Sequence, residues 1–307
     1  MRRPYSLPLV VSFTVVVLLL AACSGSSDES ADTSLAPTAT EQATTPTTAS
    51  TTTAATTTTV AAATTTTEAL PEVEASGSGE PWDLVFISDS RGFNVARAWA
   101  DLIEEAEGVE VRVHDHATGR LSLVQVREWL TADSSDSDDE LRGEVADAEI
   151  IFVFGNPYGS GVTEGKGCAP WPDWHSEPPE PATPADWAQY GDVLRDILDA
   201  VFELRAGQPT VTRVADEFAA PIADWRQDGI EAVCTTSWEA HAQVIHEAAD
   251  EYGAGTASWY DAFNGPDHDE DPVEKGYIAD DGFHQSLAGA KVQAEVLHAL
   301  GYDPINP

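Results

Sequence analysis

From about Pro81 onward, short apolar runs alternate with longer amphipathic stretches, and this alternation narrows the possible folds more than any other feature of the chain. Leu84-Val85-Phe86-Ile87 reads as a buried strand, and Val95, Trp99, Leu102, Ile103 and Ala106 then recur at helical spacing. Val109 to Val113 forms a second strand pattern, followed by a helix through Leu123, Val126, Trp129 and Leu130. Ile150-Ile151-Phe152-Val153-Phe154 is the most strand-like run. Beyond it come a helix carrying Leu194, Ile197, Leu198, Val201 and Leu204, a strand at Thr210–Val214, and a helix with Trp238, His241, Ala242, Ile245 and Ala249. A short strand near Thr256–Tyr260 and a last helix from Ser286 to about Leu300 complete the series. Strands alternating with helices predict an α/β fold with a parallel sheet covered on both faces. In such sheets, sites gather at the carboxyl ends of the strands.

The N-terminal part is of a different kind. Arg2 and Arg3 precede an apolar run from Leu7 to Ala22 that ends Leu20-Ala21-Ala22-Cys23. A charged start, a short apolar segment and small residues before the cut describe a secretory signal. As a helix the run reaches roughly 24 Å, short of the ~30 Å hydrocarbon core. The ending resembles the lipobox of bacterial lipoproteins, which implies cleavage before Cys23, lipidation of that residue, and anchoring on the outer face of the membrane. The chain has three cysteines. With Cys23 lipidated, Cys168 and Cys234 are left to pair as a structural disulfide in an oxidising compartment. Residues 23–80 are dominated by Thr, Ala, Ser, Glu and Pro, with runs such as Thr56–Thr59. Such a segment buries too little apolar surface to offset its ordering entropy, so it reads as a stalk and a candidate for O-glycosylation. Residues 81–307 are long enough for one domain with a real core. The formal net charge of −38 repels phosphate backbones and excludes nucleic acid as a partner.

The first strand runs into Ser88-Asp89-Ser90-Arg91-Gly92, and a helix follows. Ser90 thus sits on a strand-to-helix turn, where a side chain can stand exposed beside free backbone N–H groups. By itself, a serine there would usually be a helix N-cap, a position that Ser and Asp both favour. A serine hydroxyl needs a base to take its proton. Near the other end of the chain, Asp280-Asp281-Gly282-Phe283-His284 immediately precedes the last helix. A histidine three residues after an aspartate can be oriented by that carboxylate and accept the serine proton. Asp280 is a second candidate for the orienting group.

Together these segments resemble the SGNH (GDSL-type) hydrolases, flavodoxin-like enzymes that cleave acyl esters. Their Gly-Asp-Ser-Leu block corresponds to Ser88-Asp89-Ser90-Arg91, and their final Asp-x-x-His block to Asp281-Gly282-Phe283-His284, with Gly289 inside the helix beyond. Gly119, in His116-Ala117-Thr118-Gly119-Arg120, matches the second-block glycine, and Asn156, in Phe154-Gly155-Asn156-Pro157, the third-block asparagine. Ser88 and Arg91 depart from the family's glycine and leucine, and Gly155 touches Asn156 directly. The resemblance implies a flavodoxin-like three-layer sandwich and a catalytic triad of Ser90, His284 and Asp281. It further implies an oxyanion hole made by the N–H groups of Ser90 and Gly119 and the side chain of Asn156, and no cofactor. Such machinery hydrolyses acyl esters, acetyl esters among them. The same residues would serve an O-acyltransferase acting on envelope glycans, and a non-catalytic binding lipoprotein could retain the fold.

Other clusters point to no chemistry. His114 and His116 lie on one side of an extended segment without a third ligand at suitable spacing, so no metal is expected. The runs Asp133–Glu140 and Asp267–Asp271 lack the spacing of a calcium loop and read as solvated acidic loops. Residues 157–186 form a Gly- and Pro-rich insertion carrying Tyr158, Trp171, Trp174 and Cys168. It reads equally as a wall of the site or as a small disulfide-pinned hydrophobic cluster.

Overall fold

The computed structural model describes residues 79–132, 134–155, 168 and 182–305, all within the unit Leu70–Pro307. The signal run, Cys23, nearly all of the stalk, Asn156 and most of the insertion lie outside the described residues. Five strands, β1 (Trp82–Ile87), β2 (Val111–Asp115), β3 (Ile150–Val153), β4 (Val211–Ala215) and β5 (Gly255–Ala257), form one sheet in the order β2-β1-β3-β4-β5. Every pairing is parallel. Parallel neighbours require crossovers, and helices supply them. These are α1 (Val95–Glu107), α2 (Leu123–Leu130), α3 (Asp139–Asp147), α4 (Pro184–Arg205), α5 (Ile222–Asp228) and α6 (Glu231–Tyr252). After β5 come α7 (Trp259–Asn264) and α8 (Leu287–Ala299).

The pleat divides the apolar runs between two layers. Leu84 and Phe86 of β1 and Ile150 and Phe152 of β3 pack with α1, α7 and α8 through Trp99, Trp259 and Leu297. Val85, Ile87, Ile151 and Val153 point the other way, toward α2, α3, α4 and α6. Phe86 and Phe152 stack across the β1–β3 pair with ring centroids 4.4 Å apart. Burying each such side chain stabilises the fold by about 1.5–3 kcal/mol, and the two-sided cover explains why these strands show no polar alternation. The edge strand β2 is covered less and retains half-exposed His114 and Val113.

Several boundaries differ from the sequence reading. The second strand lies two residues later than expected, because Trp82 pairs with Val111 and Phe86 with Asp115. Only the end of the Asp133–Glu140 run is helical, since α3 begins at Asp139. Asp138 caps α3 by accepting the N–H groups of Glu140 and Leu141, and Asp139 and Glu140 occupy its first turn, where acidic residues favour the helix dipole. Only Leu141 and Val145 of α3 are buried, too sparse a stripe to register as periodicity. The expected strand at Thr256–Tyr260 stops at Ala257, and α7 starts where Ser258 accepts the N–H of Asp261. The insertion ends before residue 186, since Thr183 caps α4 in a reciprocal bond pair with Asp186. Cys234 lies inside the first turn of α6 rather than ahead of it. His114 belongs to β2, with Nδ1 2.9 Å from Glu144 and Nε2 2.8 Å from Asp83. Burial lowers its pKa, but those two carboxylates outweigh it and leave the imidazole raised.

Candidate active site

The chain leaves β1 for β2 on one side and later returns to β3 on the other, so the carboxyl ends of β1 and β3 part at a topological switch point. Backbone hydrogen bonds extend past the strands here. His116 N–H donates to Phe86 O, Thr118 N–H to Ser88 O, and Phe154 N–H to Ile87 O. The segments leading to Gly119 and to Gly155 therefore flank the end of β1. Ser90 opens a 3-10 turn over Ser90–Gly92, and the cap of that turn is Asp89, which accepts the N–H of Arg91 at 2.8 Å. The capping task open to Ser90 in the sequence thus falls to its neighbour. Gly92 is required by close approach, because a Cβ there would lie 2.1 Å from Ser88 Oγ.

His284 Nε2 stands 2.9 Å from Ser90 Oγ, and His284 Nδ1 2.7 Å from Asp281 Oδ2. With Nδ1–H donated to the carboxylate, Nε2 is left to accept the hydroxyl proton. Asp281, not the exposed Asp280, makes this contact. Its other oxygen accepts the N–H groups of Phe283 and His284, each at 2.9 Å. Burial raises the Asp281 pKa, but the His284 bond and these two N–H groups prevail and hold the carboxylate below its usual range. The loop closes on itself: Ala279 N–H donates to His284 O, and Ile278 bridges Gln285.

Side chains without a sequence signal join the two halves of the site. Gln285 Nε2 donates to Ser90 O at 3.3 Å and to Phe93 O at 2.9 Å, and Gln293 of α8 donates to Arg91 O at 3.0 Å. Tyr190 of α4, fully buried, donates its hydroxyl to Gly155 O at 2.7 Å and so holds the segment that follows β3. Arg91 and Glu217 form an ion pair at 3.2 Å with no exposure of either side chain. Burial pushes the Glu217 carboxyl up to about 8 against the pull of Arg91, with Asp89 adding to the rise. Gly119 sits in open space, and it is Arg120, not Gly119, that has the positive φ of 64°. Among the described residues, no group of three His, Cys, Asp or Glu side chains is placed to hold a metal ion.

Cys168 and Cys234 are joined by a disulfide, with Cα atoms 5.2 Å apart. They pack with Trp225, Trp238 and Tyr260, and Trp225 Nε1 donates to Cys168 O at 3.2 Å. This cluster is tied to the end of β4, since Trp238 Nε1 donates to Glu217 O at 2.7 Å.

Fold and geometry together define a class: a flavodoxin-like α/β sandwich with a serine, a histidine and an aspartate in hydrogen-bonded series at its switch point. No family model and no curated protein sequence matches the chain, whereas solved structures do. The lipase Lip_vut3 from a goat rumen metagenome superposes with a TM-score of 0.56 at 14% identity, covering 73% of this chain and 99% of its own. Axe2, an acetyl xylan esterase from Geobacillus stearothermophilus, gives a TM-score of 0.50 at 14% identity, covering 75% and 99%. The chain has the SGNH hydrolase fold.

Proposed function

We propose that the chain is a serine esterase that cleaves acyl esters through an acyl-enzyme, working outside the cytoplasm on a lipid anchor at Cys23. The observation that carries this reading is the unbroken series Ser90 Oγ–His284 Nε2 and His284 Nδ1–Asp281 Oδ2. Ser90 Oγ attacks the ester carbonyl as its proton passes to His284, and Asp281 stabilises the resulting imidazolium. The negative oxygen of the tetrahedral intermediate takes hydrogen bonds from the N–H groups of Ser90 and Gly119 and from Asn156. His284 then gives its proton to the departing alcohol. Water, deprotonated by the same imidazole, attacks the acyl-enzyme and releases the acid, which restores Ser90. The fold shared with a lipase and an acetyl xylan esterase agrees with an ester substrate.

The direct test is Ser90→Ala. Hydrolysis of p-nitrophenyl acetate is expected to fall by at least about a thousandfold, and labelling by a fluorophosphonate to vanish, at an unchanged melting temperature. Labelling that persists, or that maps to another serine, overturns the assignment.

A further inference from the structure

Arg91 follows the proposed nucleophile directly, and its guanidinium is fully buried. Its Cζ lies 4.4 Å from the ring centroid of Phe218 and 4.0 Å from that of Phe283. Among the described residues, none of its three guanidinium nitrogens has a hydrogen-bond partner. Two aromatic faces therefore set its orientation, in a dry site where cation–π attraction is strongest. The two rings differ in kind. Phe218 is wholly buried and stacks on Phe263 of α7 with centroids 4.2 Å apart, so it belongs to the core. Phe283 is half-buried, sits in the Asp281–His284 loop and meets the His284 ring edge-on at 4.8 Å. The backbone of Arg91 is fixed independently by Asp89 and Gln293. For packing alone, an apolar side chain of similar volume would avoid the desolvation of a buried charge.

We infer that Arg91 is a positioning residue for His284, fastening the loop that carries the imidazole to the core through the ring of Phe283. The inference rests on the proposed triad. The linkage ties a half-exposed loop to the core and so holds Nε2 at bonding distance from Ser90 Oγ, and misplacement of a catalytic group by a fraction of an ångström slows the chemical step.

The test is steady-state hydrolysis of p-nitrophenyl acetate by the full chain, with active sites counted by fluorophosphonate titration. Phe283→Leu is expected to lower kcat about tenfold, with KM within about twofold and all active sites still titrating. Phe283→Tyr keeps the ring and is expected to keep kcat. Arg91→Lys keeps the charge facing Glu217 but loses the planar face, and should reproduce the loss seen for Phe283→Leu. The double variant should be no slower than the slower single, since both changes break one linkage. Wild-type kcat in Arg91→Lys or Phe283→Leu, or a double loss equal to the product of the singles, overturns the inference. Should Arg91→Lys fail to fold, the Phe283 pair decides: equal kcat for Leu and Tyr overturns it. His284→Ala, run alongside, separates the two readings. Full activity in that variant overturns the triad, whereas its inactivity beside an unaffected Phe283→Leu overturns only the role of Arg91.

Discussion

At the scale of single residues, Asp89 and Ser90 both have side chains suited to capping the turn after β1, and Asp89 takes that task through the N–H of Arg91. Ser90 Oγ is left to bond His284. The cost of this arrangement lies beneath it, where Arg91, Glu217 and Asp89 are buried together. Because burial raises the Glu217 carboxyl from 4.5 to about 8, the folded chain holds a proton between those values that the unfolded chain releases. The Glu217 contribution to stability therefore falls as pH rises from 4.5 to about 8 and levels off above it. Glu217→Gln removes this dependence while keeping the side chain's shape. The melting temperature of the variant minus that of the wild type is expected to climb steadily from pH 5 to pH 8. A difference that stays flat over this range would place the Glu217 proton elsewhere.

At the scale of elements, the loop before α8 does the joining. Tyr277 O accepts the N–H of Ser286, and Ser286 Oγ in turn caps α8 at Gly289. A Cβ at residue 289 would lie 2.2 Å from Tyr277 O, a backbone atom that moves only with the loop. Gly289→Ala is thus expected to destabilise the domain by about 1–3 kcal/mol through overpacking. It should also lower kcat on small esters beyond the loss of folded protein, because the displaced segment leads directly to His284. Denaturant unfolding and active-site titration separate these effects, and a stable, fully active variant would show that the contact relaxes without moving the loop. The glycine was legible in the sequence as part of a motif, but its reason was not: the atom it must avoid belongs to a different turn of the chain.

Across the whole molecule, the disulfide closes a sequence separation of 66 residues, a constraint on the unfolded ensemble of about 4 kcal/mol in the chain-entropy model. Cys234→Ser should lower the melting temperature accordingly. Because the cystine cluster is tied through Trp238 to Glu217, beside Arg91, we also predict a larger activity loss on bulky esters than on acetyl esters. Equal losses on both would detach the cluster from substrate handling. The proposed tether is tested separately. Among the described residues, no helix is long and apolar enough to cross a membrane, and Cys23→Ser should shift the protein out of the membrane fraction if the lipid is its anchor. Equal retention of the variant overturns the lipid anchor in favour of the apolar run itself.

Strands β1, β3 and β4, the helices with dense apolar stripes, and the turns bearing Ser90 and His284 were all readable from the chain. Periodicity and turn chemistry report on the few residues nearest in sequence, and each of these elements is specified at that range. The short helices α3, α5 and α7 were missed because two to four buried residues in six to nine positions do not make a detectable period. What only the tertiary structure decided are the meetings of distant segments: Tyr190 with Gly155, Gln285 with the Ser90 turn, and Arg91 with Glu217, Phe218 and Phe283. Arg91 stood out in the sequence only as a departure from leucine. Its burial, and the rings that hold it, depend on packing between elements, for which no local pattern carries a signal.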